Sequence, residues 1–133
     1  MRRGFLDTSY LLALLLRRDQ HHAAAIRCQQ QYEGDLLVTE YVLVELHDAL
    51  CQAALRPLAI ATTELLLNDP RVTLVPASRA LFDRGREYFQ SRPDKDWSPT
   101  DCISFVVMQD EQVREALTAD HHFEQAGFNV LIK

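Results

Sequence analysis

A chain of 133 residues, 47% hydrophobic and 25% charged, carries enough apolar content to close one core and too little Gly and Pro for disorder. Its formal net charge of −5 argues against a broadly basic nucleic-acid binder. Its three cysteines, Cys28, Cys51 and Cys102, contain no C-x-x-C and argue against a disulfide framework or a zinc site.

The chain opens with a short apolar strand, Gly4-Phe5-Leu6, followed by Asp7-Thr8-Ser9, three residues that all cap helices well, and then the apolar helix Tyr10–Leu16. That apolar run is preceded by Asp7, is followed by Arg17-Arg18 without a cleavage site, and is far shorter than the ~20 residues of a membrane span. A cytoplasmic protein with no membrane contact is therefore expected. A second helix is expected from about Gln20 to Tyr32, after which Gly34-Asp35 turns into the strand Leu36-Leu37-Val38. Thr39 caps a helix from about Glu40 to Leu55, and Pro57 suits the first turn of another through about Leu67.

Asn68-Asp69-Pro70 reads as a turn, and Val72-Thr73-Leu74-Val75 as a strand rich in β-branched residues. Ser78 then caps a helix reaching about Gln90. After the polar loop Ser91–Trp97, Ser98-Pro99-Thr100-Asp101 leads into the apolar helix Cys102–Met108. Ala116-Leu117-Thr118 and Asn129–Ile132 supply the last strands. Strands alternating with helices predict one α/β domain over residues 1–133, a three-layer α/β/α sandwich with a mostly parallel sheet.

Open parallel sheets bind ligands beyond the carboxyl ends of their strands, which draws attention to acids just after strands. Asp7 and Asp120 stand in such places, and Asp101 begins a helix; taken singly, each also reads as a capping or turn aspartate. Glu45 stands inside the apolar segment Tyr41–Leu46. If buried it needs a partner, such as a cation shared with other acids; on a polar helix face it needs none. Adjacent histidines point apart on a helix, so His21-His22 and His121-His122 read as surface or capping groups. There is no Walker loop, G-x-G-x-x-G, G-x-S-x-G or D-x-D pattern in the expected places.

Four segments stand out together: Phe5-Leu6-Asp7-Thr8-Ser9, Val44-Glu45-Leu46, Trp97-Ser98-Pro99-Thr100-Asp101-Cys102-Ile103-Ser104-Phe105, and Leu117-Thr118-Ala119-Asp120-His121-His122-Phe123-Glu124-Gln125-Ala126-Gly127-Phe128. In order and spacing they resemble the successive acidic motifs of PIN-domain ribonucleases across nearly the whole chain. The resemblance implies that Asp7, Glu45, Asp101 and Asp120 are the catalytic and metal-binding quartet for Mg²⁺ or Mn²⁺. Thr8 or Ser9 and Ser98 would then supply supporting hydroxyls, with Asp94 and Asp96 as further acids nearby.

It also implies a metal-dependent endoribonuclease cleaving RNA phosphodiester bonds with activated water, similar to the VapC-type toxins of toxin–antitoxin pairs. A catalytically idle PIN-like module that binds RNA or protein, and a phosphatase acting on small esters, are the alternatives. Such a quartet has a physical rationale: hard divalent cations prefer oxygen ligands, and bound cations offset the acidic charge. For holding RNA, Arg79, Arg84, Arg86, Arg92 and Lys95 form the densest basic stretch, with Tyr88, Phe89 and Trp97 available for stacking, unless this is only a solvated helix face. Arg2, Arg3, Arg17 and Arg18 make a second patch. The apolar helices Tyr10–Leu16 and Ala59–Leu67 suggest a homodimer and a small antitoxin partner.

Overall fold

A computed structural model describes residues 2–133. The chain runs β1 (Arg3–Leu6), α1 (Thr8–Leu15), α2 (His22–Gln31), β2 (Asp35–Thr39), α3 (Glu40–Ala49), α4 (Arg56–Asn68), β3 (Val72–Val75), α5 (Arg79–Ser91), α6 (Pro99–Asp110), β4 (Glu115–Leu117), α7 (His121–Gln125) and β5 (Asn129–Val130). The strands form one five-stranded sheet in the order β3-β2-β1-β4-β5, and every neighbouring pair is parallel.

Crossovers between parallel strands are right-handed, and this decides which face each helix covers. From β1 the chain steps outward to β2 and β3, so α1 to α4 lie on one face, where α1 packs on α2 and α3, and α3 on α4. It then crosses back to β4 and steps out the other way to β5, which puts α5, α6 and α7 on the opposite face, with α6 packed against both α5 and α7. The three-layer expectation holds.

Local chemistry sets the helix starts. Thr39 Oγ1 accepts the Val42 N–H at 3.1 Å and Ser78 Oγ the Leu81 N–H at 3.1 Å, while Pro57 and Pro99 occupy first turns. Two boundaries differ from expectation. The helix expected to reach Leu55 stops at Ala49, because Leu50 turns into the core and the backbone leaves the helix there; a turn closed by Gln52 separates α3 from α4. The short helix α7 was not expected, yet its ends are well specified. Asp120 caps it, and Gly127 closes it at φ +97°, with the Phe128 N–H bonded to Phe123 O at 3.0 Å.

The core is deepest under the central strands, where Phe5, Leu37, Val38 and Ala116 are fully buried. Helix α6 is buried on all sides from Cys102 to Met108, as a helix covered by both sheet and helix must be. Helix α5 covers it closely: Gly85 is buried, and a Cβ there would overlap the Ile103 side chain. Phe105 is the hub of an aromatic cluster, with its ring 5.1 Å from Trp97, 4.9 Å from Phe123 and 5.7 Å from Phe128, mostly edge to face. Among the described residues no helix is long and apolar enough to cross a membrane.

Candidate active site

Strand order reverses beside β1: its successor β2 lies on one side and β4 on the other. Helices therefore leave the carboxyl ends of β1 and β4 toward opposite faces, opening a crevice between them. The register pairs Leu6 with Leu117, so Asp7 and Thr118 emerge side by side into that crevice, and the Asp7 N–H still reaches Leu117 O at 3.3 Å.

Asp7 is only 4% exposed and Thr118 is fully buried. Thr118 Oγ1 donates to Asp7 Oδ2 at 2.7 Å, Ser9 Oγ donates to the same oxygen at 2.8 Å, and the Ser9 N–H approaches it at 3.4 Å. Burial pushes the Asp7 carboxyl up to about 6; the Thr118 and Ser9 hydrogen bonds hold it from going further, and repulsion from Asp101 and Asp120 adds to the rise. All the protein donors converge on Oδ2, and no hydrogen bond among the described residues reaches Oδ1.

Asp101 stands at the third position of α6 in a capping box: its Oδ2 accepts the Ser98 N–H at 3.2 Å while Ser98 Oγ accepts the Asp101 N–H at 3.0 Å. Ser98 is thus a support for Asp101. The preceding Trp97 is buried and its Nε1–H donates to Gln125 at 2.9 Å, which ties the start of α6 to α7. Burial raises the Asp101 carboxyl; the Ser98 N–H opposes this, Asp120 pushes it up, His122 pulls it down, and Glu45 adds a last upward push. Asp120 caps α7, with Oδ1 accepting the His122 N–H at 2.9 Å, and its own N–H donates to Thr118 Oγ1 at 3.0 Å. Glu45, half-buried on α3, joins from the opposite helical layer; its neighbour Val44 is 61% exposed, so the apolar surroundings suggested by the local sequence are one-sided.

Two side chains absent from the sequence-derived set belong to this place. One is Thr118, the shared partner of Asp7, Ser9 and Asp120. The other is His122, whose Nδ1 is buried 3.3 Å from Asp101 Oδ2 and 3.3 Å from Asp120 Oδ1 without making a hydrogen bond to either. The surface reading expected for adjacent histidines fits the exposed His121 and fails for His122, which turns inward. At the first residues of α7 the His121 and His122 rings lie 4.5 Å apart, and ligand-type atoms of Asp120, His121 and His122 fall within 4.8 Å of one another. Thr8 Oγ1, next to Asp7, is also buried without a partner.

The expected RNA-holding stretch looks different in three dimensions. Arg79 and Arg86 pair with Asp83, Arg84 with Asp110, and Arg92 and Lys95 with Asp94, so most of its charge is locally balanced. Asp94 is engaged in these pairs. Trp97 is a core anchor and Tyr88 packs edge-on against it, which leaves Phe89, 45% exposed, as the aromatic group open to a base. Arg2 and Arg3 pair with Glu115 and Glu111 at the start of β1, the sheet end remote from Asp7. The Tyr10–Leu16 run is a core helix, with Tyr10, Leu11 and Ala13 buried.

The PIN domain family model matches residues 4–129. The chain belongs to the PIN-domain family. Among PIN-domain relatives, it is 28% identical over 125 residues to the 23S rRNA-specific endonuclease VapC20 of Mycobacterium tuberculosis, covering 93% of this chain and 94% of that protein. The crystal structure of M. tuberculosis VapC20, described as a sarcin-ricin loop cleaving toxin, is similar at a TM-score of 0.85 and 25% identity, covering 93% of this chain and 95% of that one. The fold is also shared with FitAcB from Neisseria gonorrhoeae, at a TM-score of 0.65, 17% identity, and 95% and 94% coverage. VapBC2 from Rickettsia felis, bound to a promoter DNA fragment, matches at a TM-score of 0.64 and 12% identity over 96% of each chain.

The buried Asp7 carboxylate should make the metal-free PIN domain less stable at neutral than at mildly acidic pH. Its folded-state value near 6 exceeds the ordinary carboxylate value of 3.8, so ionisation costs stability above about pH 6, and that cost disappears as pH falls toward 4. The full effect is at most about 3 kcal/mol. In EDTA, Asp7→Asn should be more stable than the parent at pH 7.5, by about 1–2 kcal/mol, and the difference should shrink at pH 5. Urea unfolding at the two pH values checks this; a variant less stable than the parent at pH 7.5 contradicts it.

Proposed function

We propose that this chain is a divalent-metal-dependent endoribonuclease acting as the toxin of a toxin–antitoxin pair, with Asp7, Glu45, Asp101 and Asp120 as its catalytic, metal-holding acids. The observation that carries this reading is the convergence of acids from four separate segments on the crevice beyond β1 and β4. The donor set fits a cation: carboxylates with raised affinity for protons lie where positive charge is scarce, and His122 Nδ1 is an orphaned buried nitrogen aimed between two of them.

A Mg²⁺ or Mn²⁺ ion at these acids would supply a nucleophilic water near neutral pH and neutralise charge on the scissile phosphate. The chain's own residues do the positioning. Thr118 and Ser9 hold Asp7 by Oδ2 and leave Oδ1 without a hydrogen bond among the described residues; the capping box holds Asp101; the α7 cap holds Asp120. Likeness to a 23S rRNA-specific endonuclease across nearly all of both chains supports RNA as the substrate class and the toxin role. A small antitoxin partner follows from that role.

Incubating the protein with structured RNA, single-stranded DNA and a chromogenic phosphate ester, each with Mn²⁺ or EDTA, tests the reading. RNA should be cut only with metal, leaving a 5′-phosphate and a 3′-hydroxyl. Asp7→Asn and Asp101→Asn should each lose on the order of a hundredfold or more, since several kcal/mol of charge stabilisation are removed. Cleavage that persists in EDTA, or ester hydrolysis without RNA cleavage, contradicts it.

We further propose that the chain self-associates through α4, where Ile60, Leu65 and Leu67 are 53%, 74% and 51% exposed. Light scattering at micromolar concentration should give a dimer that Leu65→Glu weakens. A parent that is strictly monomeric removes this proposal.

A further inference from the structure

We propose that His122 is a nitrogen ligand to the cation held at Asp101 and Asp120, and that it makes the site prefer Mn²⁺ over Mg²⁺. The proposal rests on the reading of the acids as a metal site and adds a donor outside the acidic quartet.

The placement follows from the chain. Asp120 caps α7 by accepting the His122 N–H at 2.9 Å, which folds residue 122 back beside the Asp120 carboxylate. The His122 side chain is 21% exposed, against 72% for its neighbour His121, and it points inward, reaching Asp101 on α6. Nδ1 comes to rest 3.3 Å from one oxygen of each carboxylate. Nδ1 is buried without a hydrogen-bond partner, at ion-pair distance from both carboxylates.

The same spacing fits ligation of one cation. Ligand atoms about 2.1 Å from one ion lie about 3.0 Å apart in octahedral geometry and about 3.4 Å apart in tetrahedral geometry, so a nitrogen 3.3 Å from two carboxylate oxygens has the spacing of one coordination shell. His121 Nδ1, on the solvent side, is 3.8 Å from Asp120 Oδ1, farther than adjacent ligands of one ion stand.

The identity of the donor decides the metal. Mg²⁺ takes oxygen ligands and retains its water, whereas imidazole nitrogen suits divalent transition ions; Mn²⁺, at the start of that series, keeps a preference for carboxylate oxygen but takes a nitrogen more readily than Mg²⁺ does. A site made of carboxylates and one imidazole therefore gains affinity for Mn²⁺ from the nitrogen and gains little for Mg²⁺.

The experiment combines calorimetric titration of Mn²⁺ and Mg²⁺ at pH 7.5 with pulsed electron paramagnetic resonance of the Mn²⁺-loaded protein. The parent should bind Mn²⁺ on the order of tenfold tighter than Mg²⁺, and its Mn²⁺ signal should show nitrogen coupling that changes isotope signature when histidine is labelled with ¹⁵N. His122→Gln should lose on the order of tenfold in Mn²⁺ affinity, change Mg²⁺ affinity by about twofold or less, and lose the nitrogen coupling. His121→Gln should keep all three properties. Mn²⁺ bound without nitrogen coupling in the parent overturns the role of His122 and leaves the acid site standing. Coupling lost in His121→Gln but kept in His122→Gln overturns it too. Failure of both ions to bind the parent, with Asp101→Asn indistinguishable from it, overturns the acid site itself and His122 with it. The spectrum of the unmutated protein decides the matter even if a variant fails to fold.

Discussion

The bond from Thr118 Oγ1 to Asp7 Oδ2, 2.7 Å long and buried, is the contact on which the arrangement of the site depends. It exists because β1 and β4 are parallel neighbours with Leu6 opposite Leu117, so the next residue of each strand arrives at the same level. A slip of one residue would turn one of these side chains away from the crevice. The same Thr118 oxygen accepts the Asp120 N–H, so one hydroxyl sets the relative positions of two acids more than a hundred residues apart in sequence.

That arrangement opposes the ordinary preference of a fold. An ionised carboxylate with 4% exposure costs several kcal/mol unless it is bonded or neutralised. Here hydroxyl donors offset part of the cost, neighbouring acids add to it, and no arginine or lysine is supplied. Arg2, Arg3, Arg84 and Arg92 each face a carboxylate at the periphery instead. A cation bound beside Asp7 would offset the cost that the hydroxyl donors leave.

The fold was largely legible because β1, β2 and β3 each run into a strong helix start. Thr39, Ser78 and Ser98 cap where their chemistry said they would, and Asp7 follows its strand directly. What was illegible depended on contacts distant in sequence. Trp97 looks like a stacking group in a polar loop, but its ring closes the Phe105 cluster from outside α6. The arginines of α5 look like a basic patch until Asp110 arrives from α6. Adjacent histidines diverge, but the pair by itself does not show which of them turns inward, and here it is His122. A local signal existed: Asp120 as N-cap and Gly127 as terminator bracket α7, and a capping aspartate brings the backbone of the residue two positions on against its carboxylate.

The central claim is that the crevice beyond β1 and β4 binds a divalent cation through Asp7, Asp101 and Asp120. A crystal structure of the protein grown with millimolar Mn²⁺, with data collected for anomalous scattering from manganese, tests it directly. The account predicts an anomalous peak in that crevice, within about 2.0–2.4 Å of carboxylate oxygens of at least two of these residues. Manganese bound only at peripheral acids such as Asp83 or Asp94, with the crevice left without a peak, would contradict it.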